Sequence, residues 1–186
     1  MDTDDGDIDS VDCGAGFDRA VLRPGDRYVN CESVRRLRGR AVSAGTLRRG
    51  TAGPDNWWPH PSGTGWNDRD YALGLGGNDL IRSWAGADIV WGHQGNDTLE
   101  GNTGRDWLLG GAGADTLTDE GGLDRLWAGA GADQLSGGLN ADELIAIELD
   151  KAVDHVDCGP GNDRAVVRRF DVVDASCERV VRLPGM

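Results

Sequence analysis

Glutamate is scarce in this chain, six residues against 26 aspartates, while glycine supplies 30 of the 186 residues. Glu is the better helix former of the two acids, and Gly and Asp both prefer turns and caps, so a mainly helical fold is excluded. Phe and Tyr number two each and hydrophobic residues reach only 38%, too few for a thick mixed core. No apolar run approaches the roughly 18 residues that span a bilayer. Met1 is followed by the acidic stretch Asp2 to Asp9, so no basic and then apolar signal peptide is visible. Lys151 is the only lysine, which removes a P-loop, and GxSxG, HExxH and GxGxxG are missing too. The chain therefore reads as a non-enzyme. Its net charge of −13 opposes nucleic acid and anionic membranes and favours cations.

Four cysteines, Cys13, Cys31, Cys158 and Cys177, form two widely separated pairs. Neither pair has CxxC spacing, and His60, His93 and His155 are scattered, so disulfides and an oxidising compartment are favoured over zinc.

What the chain has is a repeat. Asp70, Asp79, Asp88, Asp97, Asp106, Asp115, Asp124, Asp133 and Asp142 fall nine residues apart without a slip. Two positions earlier stand Gly77, Gly86, Gly95, Gly104, Gly113, Gly122 and Gly131. Two positions later stand Ile81, Val90, Leu99, Leu108, Leu117, Leu126, Leu135 and Leu144. Each unit reads as a Gly-rich turn closed by Asp, then a short strand with an aliphatic centre and outward-facing neighbours. One unit cannot bury its aliphatic residue alone, but stacked units can, with two facing strands and eighteen residues making one coil. The predicted core is two facing ladders, Ile81, Leu99, Leu117 and Leu135 against Val90, Leu108, Leu126 and Leu144.

These columns resemble the GGxGxDxUx nonapeptide of RTX, or hemolysin-type, calcium-binding proteins, most closely at Gly110 to Leu117 and over about residues 65 to 146. The resemblance implies an all-β parallel β-roll, a two-sided solenoid with Ca²⁺ between successive turns on each edge. The chemistry points the same way, because Ca²⁺ takes six to eight oxygens, turn carbonyls and Asp carboxylates supply them, and stacked turns lie roughly 4.8 Å apart. Shared pairs are predicted at Asp79 with Asp97, Asp97 with Asp115, Asp115 with Asp133, Asp88 with Asp106, Asp106 with Asp124, and Asp124 with Asp142. About six ions would bring +12 against −13, so folding is expected to depend on calcium. The alternative is a metal-free solenoid whose Asp side chains only cap turn amides.

Some units depart from the pattern. Asn140 and Asp68 replace the turn Gly before Asp142 and Asp70, so the terminal sites, Asp70 among them, are expected to be weaker. Ser83-Trp84, His93, Asn102, Asp119-Glu120 and Ala128 occupy opening Gly positions. Asp119 and Glu120 read as a solvated acidic corner, the other option being added carboxylates for a neighbouring ion.

Val11 to Val21 parallels Val156 to Val166, each with a GxGxD turn and each continuing to Cys-Glu, which makes Asp18 and Asp163 weaker ligand candidates. Cys13 to Cys31 spans eighteen residues, one coil, and Cys158 to Cys177 spans nineteen, one coil with a bulge, so both pairs read as disulfides stapling caps. The organisation is thus an N-terminal cap over 1–37, an Arg-, Gly-, Pro- and Trp-containing linker or covering segment over 38–64, the roll over 65–150, and a C-terminal cap over 151–186. Of the two outer faces, one is polar, with Thr98 and Thr116. The other carries Trp91, Trp107 and Trp127 and is too apolar to leave bare. It is expected to be covered by 38–64, whose Trp57 and Trp58 could pack there, or by a partner. The predicted function is an extracellular calcium-binding structural or binding module. The alternative is an adhesin that uses the tryptophan face to hold a glycan or cell-surface component.

Overall fold

A computed structural model describes residues 47–57, 69–148 and 150–184, together with the backbone of the strands Ser10–Asp12, Arg19–Leu22, Arg27–Val29 and Ser33–Arg36. Among the described residues every regular element is a strand. The nine-residue unit folds as its pattern predicts. In Leu80–Arg82 and Thr116–Gly122, as in the other strands of the array, the aliphatic residue two after Asp is buried and its neighbours face outward.

Ser10–Asp12 pairs with Arg27–Val29 and Arg19–Leu22 with Ser33–Arg36, and from Leu47 onward the strands are shared between two parallel sheets. One, the tryptophan sheet, stacks Leu47–Arg49, Tyr71–Gly76, Ile89–Gln94, Trp107–Ala112, Arg125–Ala130, Glu143–Ala146, Arg164–Arg168 and Arg179–Leu183. The other, the polar sheet, stacks Asn56–Trp57, Leu80–Arg82, Thr98–Gly104, Thr116–Gly122, Gln134–Ser136, His155–Asp157 and Val172–Val173, with Ala85–Gly86 beside Thr98–Gly104. The register is eighteen residues per coil, Ile81 opposite Leu99 opposite Leu117 opposite Leu135, and Val90 opposite Leu108 opposite Leu126 opposite Leu144. Both ladders are at most 2% exposed and form the core. Each fully buried Leu contributes about 1.5–3 kcal/mol of transfer free energy, which lets a thin interior suffice.

The roll extends beyond the regular repeat at both ends. Leu47–Arg49 pairs with Tyr71–Gly76 and Asn56–Trp57 with Leu80–Arg82, adding a coil at a spacing of 24 residues. Within 38–64 the described residues 47–57 supply the strands Leu47–Arg49 and Asn56–Trp57 at the end of the two sheets, and the Trp57 side chain lies outside the described residues. Trp58 lies outside the described residues. After Asp142 the spacing becomes 21, as Gln134 pairs with His155 and Glu143 with Arg164, and then 17 and 15. A disulfide joins Cys158 to Cys177 across adjacent coils, with Cα atoms 5.1 Å apart and both residues buried in the core. Cys13 and Cys31 lie outside the described residues.

Candidate metal centre

Each repeat Asp sits at the last position of its turn, where the chain enters a strand, and the parallel register stacks these positions along the two edges. All eight from Asp79 to Asp142 are buried, none more than 3% exposed. One carboxylate oxygen, Oδ1, accepts the backbone N–H of the Asp one coil earlier. On one edge the N–H groups of Asp55, Asp79, Asp97, Asp115, Asp133 and Asp154 donate to Asp79, Asp97, Asp115, Asp133, Asp154 and Asp171 at 2.7–3.2 Å. On the other edge Asp70, Asp88, Asp106, Asp124, Asp142 and Asp163 donate to Asp88, Asp106, Asp124, Asp142, Asp163 and Glu178 at 2.7–2.9 Å. The result is two unbroken carboxylate ladders.

Amide capping uses only half of each carboxylate. The Oδ2 atoms of Asp79, Asp88, Asp97, Asp106, Asp115, Asp124, Asp133 and Asp142, and those of Asp119 and Asp163, are buried without a hydrogen-bond partner. Native proteins leave few such atoms, because each costs about 1–3 kcal/mol and more when charged. Burial pushes the carboxyl groups of Asp88, Asp106, Asp115 and Asp142 up to about 7 and that of Asp124 to about 6, with stacked neighbours adding repulsion at the first four. Burial also raises Asp79, Asp97, Asp133 and Asp163. A metal-free solenoid built only on amide caps accounts for Oδ1 and leaves these Oδ2 atoms unexplained.

The glycine columns bring backbone carbonyl oxygens to the same edges. Gly113 has φ +138°, and a Cβ there would overlap the carbonyl oxygen of Gly95 beneath it. The same overlap recurs at Gly131 over Gly113 and at Gly104 over Gly86, so turn carbonyls line up along each edge. At the first turn position, the space left free by Gly92 is filled by Asp97 Oδ2 and the carbonyl oxygen of Gly110. Carboxylate and carbonyl oxygens without competing nitrogen or sulfur suit a hard cation of flexible coordination such as Ca²⁺, whereas Mg²⁺ wants a stricter octahedron.

Asp70 and Asp163 fall on the second ladder, and Asp18 lies outside the described residues. Asp119 is a correction to the sequence reading. It is no solvated corner but is 3% exposed, while Glu120 beside it is exposed. Burial and the charges of Asp124 and Asp106 push its carboxyl up to about 9. The periodicity also passed over Asp55, Asp171 and Glu178, whereas Asp154 stands nine residues before Asp163. Asp55 had a signal, since Gly50, Gly53 and Trp57 stand around it at the same offsets as in the array, but out of phase. On the tryptophan sheet, Trp91 stacks on His93 at 4.0 Å, and Trp107 meets Trp127 edge-on at 6.4 Å with the Arg125 guanidinium over its ring. With Leu109, Glu148 and the turn residues Gly111, Gly129 and Ala130, the three tryptophans line an open groove of about 550 Å³.

No curated protein and no solved structure matches this chain. A family match does exist, to the RTX calcium-binding nonapeptide repeat, in four overlapping copies at 65–99, 91–118, 100–135 and 109–144. Stacked turns, buried aspartates and that match agree, and residues 65–144 carry the RTX calcium-binding nonapeptide repeat.

Proposed function

We propose that the chain is an extracellular, calcium-stabilised β-roll module whose folding depends on the metal. Its ligands are the carboxylates of Asp79, Asp88, Asp97, Asp106, Asp115, Asp124, Asp133 and Asp142 with turn carbonyls of the Gly77, Gly86, Gly95, Gly104, Gly113, Gly122 and Gly131 column. Asp70 and Asp163 serve the ends. Six regular pairs give about six ions. The observation that carries this reading is the row of buried Oδ2 atoms without partners on both edges. Calcium would neutralise them, and without it a Gly-rich chain must stack repelling carboxylates on a thin core. In this organisation 151–186, closed by the Cys158–Cys177 bond, caps the C-terminal end of the roll, and that bond fits an oxidising, extracellular setting.

The test is a calcium titration of metal-stripped protein followed by far-UV circular dichroism and calorimetry, with Mg²⁺ as control. The expected result is a cooperative gain of β signal with about six Ca²⁺ bound and little response to Mg²⁺. A full β signal in chelator, unchanged by Ca²⁺, would overturn the proposal.

A further inference from the structure

Asp119 occupies the first position of its turn, where the turns below and above have Gly101 and Gly137. There it faces two carboxylates of the second ladder, Asp106 and Asp124. Oxygens of the three lie within 4.8 Å of one another, the one such three-acid group among the described residues. All three side chains are at least 97% buried, and all three Oδ2 atoms lack a partner. Their other oxygens are engaged, since Asp119 Oδ1 accepts the Glu120 N–H at 2.8 Å, Asp106 Oδ1 that of Asp88, and Asp124 Oδ1 that of Asp106. The unpartnered oxygens are thus buried side by side within one cluster of three carboxylates.

The backbone has been rebuilt to put Asp119 there. Elsewhere the second turn residue is left-handed, as at Leu75, Trp84, His93, Asn102, Gly111 and Gly129, but Glu120 is not. The strand register slips at the same point, with Asn102 opposite Asp119 where regular spacing would place Glu120. Asp119 Oδ2 fills the space over Gly101, where any side chain would displace it.

We infer that Asp106, Asp119 and Asp124 form a three-carboxylate calcium site, distinct from the two-carboxylate sites of the regular turns and the first in the roll to fill. The inference rests on the calcium reading above. Affinity in oxygen sites rises with the number of charged ligands, so this site binds about tenfold tighter than its neighbours.

The test compares calorimetric Ca²⁺ titrations of the full chain with those of Asp119→Gly, which restores the residue found at Gly101 and Gly137. Tb³⁺ luminescence sensitised through tryptophan serves as a second probe. Wild type is expected to show one early, tight binding phase that the variant lacks, with the later phases kept. In saturating Ca²⁺ Asp119→Gly should melt lower than wild type, by a margin that narrows as free Ca²⁺ is lowered, a dependence that a merely structural residue would not give. Identical isotherms for wild type and variant would overturn the inference and leave the proposed function standing, the three acids then sharing only a proton. A wild-type chain that binds no Ca²⁺ would overturn both. If Asp119→Gly shows no β signal in Ca²⁺, Asp119→Asn, which keeps the shape and removes the charge, is read by the same two outcomes.

Discussion

The oxygen atoms of a single aspartate do two different things in this fold. Oδ1 of Asp115 satisfies the N–H of Asp97, and Oδ2 lies buried without a partner. The glycine two positions before it has an equally narrow task, to let a carbonyl of the coil beneath come within reach. Gly113→Ala would set a Cβ at φ +138° against the Gly95 carbonyl. The expected cost is about 3 kcal/mol, from left-handed strain of about 1–3 kcal/mol together with the overlap. Ala114→Gly, next to it and outside the carbonyl column, should change stability by about 1 kcal/mol or less. Thermal melts of both variants in saturating Ca²⁺ check this. Equal melting points would mean that the column is not packed as described.

At the scale of the element, each strand that follows a repeat Asp from Asp79 to Asp142 buries one or two aliphatic residues and depends on its neighbours in the stack for nearly everything else. Regular coils repeat every eighteen residues, but the last ones are shortened to 17 and 15, with Val172–Val173 a strand of only two residues. The Cys158–Cys177 bond lies where the coils shorten. Closing a loop of this length contributes about 3 kcal/mol by chain entropy. Replacing both cysteines by Ala should therefore loosen Val172–Val173 and Arg179–Leu183 while the array from Asp79 to Asp142 keeps its calcium. Hydrogen exchange with a parallel Ca²⁺ titration reads both. Loss of the whole array's protection, instead of its last coils alone, would show that the roll is one cooperative unit.

For the whole molecule, the carboxylate ladders make stability depend on pH in opposite senses with and without metal. Burial raises Asp88, Asp106, Asp115, Asp142 and Asp154 from the ordinary 3.8 to about 7. The folded metal-free roll thus binds more protons than the unfolded chain between about pH 4 and 7, and it loses stability as pH rises through that window. Metal-free protein should retain more β signal at pH 5 than at pH 8. In saturating Ca²⁺ the order should reverse, because protons compete with the ion for the same oxygens. Far-UV circular dichroism without metal and thermal melts in Ca²⁺ at the two pH values test this, and the same pH order in both conditions would rule out the carboxylates as the ligands.

The period of nine was legible because Asp, Gly and an aliphatic residue each have a local reason to stand where they do: a turn end, a close approach and a buried strand centre. From these the sequence determined the parallel roll, the two core ladders and the eight regular aspartates. The coil at Leu47–Arg49 and Asn56–Trp57, and the ladder partners Asp154, Asp171 and Glu178, were decided by tertiary stacking. There the spacing changes to 24, 21, 17 and 15 while the register across the sheet holds. Asp119 shows the same division most sharply. Its chain position gave an acid in a glycine slot and nothing about burial, which depends on what the next coil places over it. Only the stacked structure brings it against Asp106 and Asp124, because carboxylates 13 and 5 residues away along the chain become neighbours once eighteen residues make a turn.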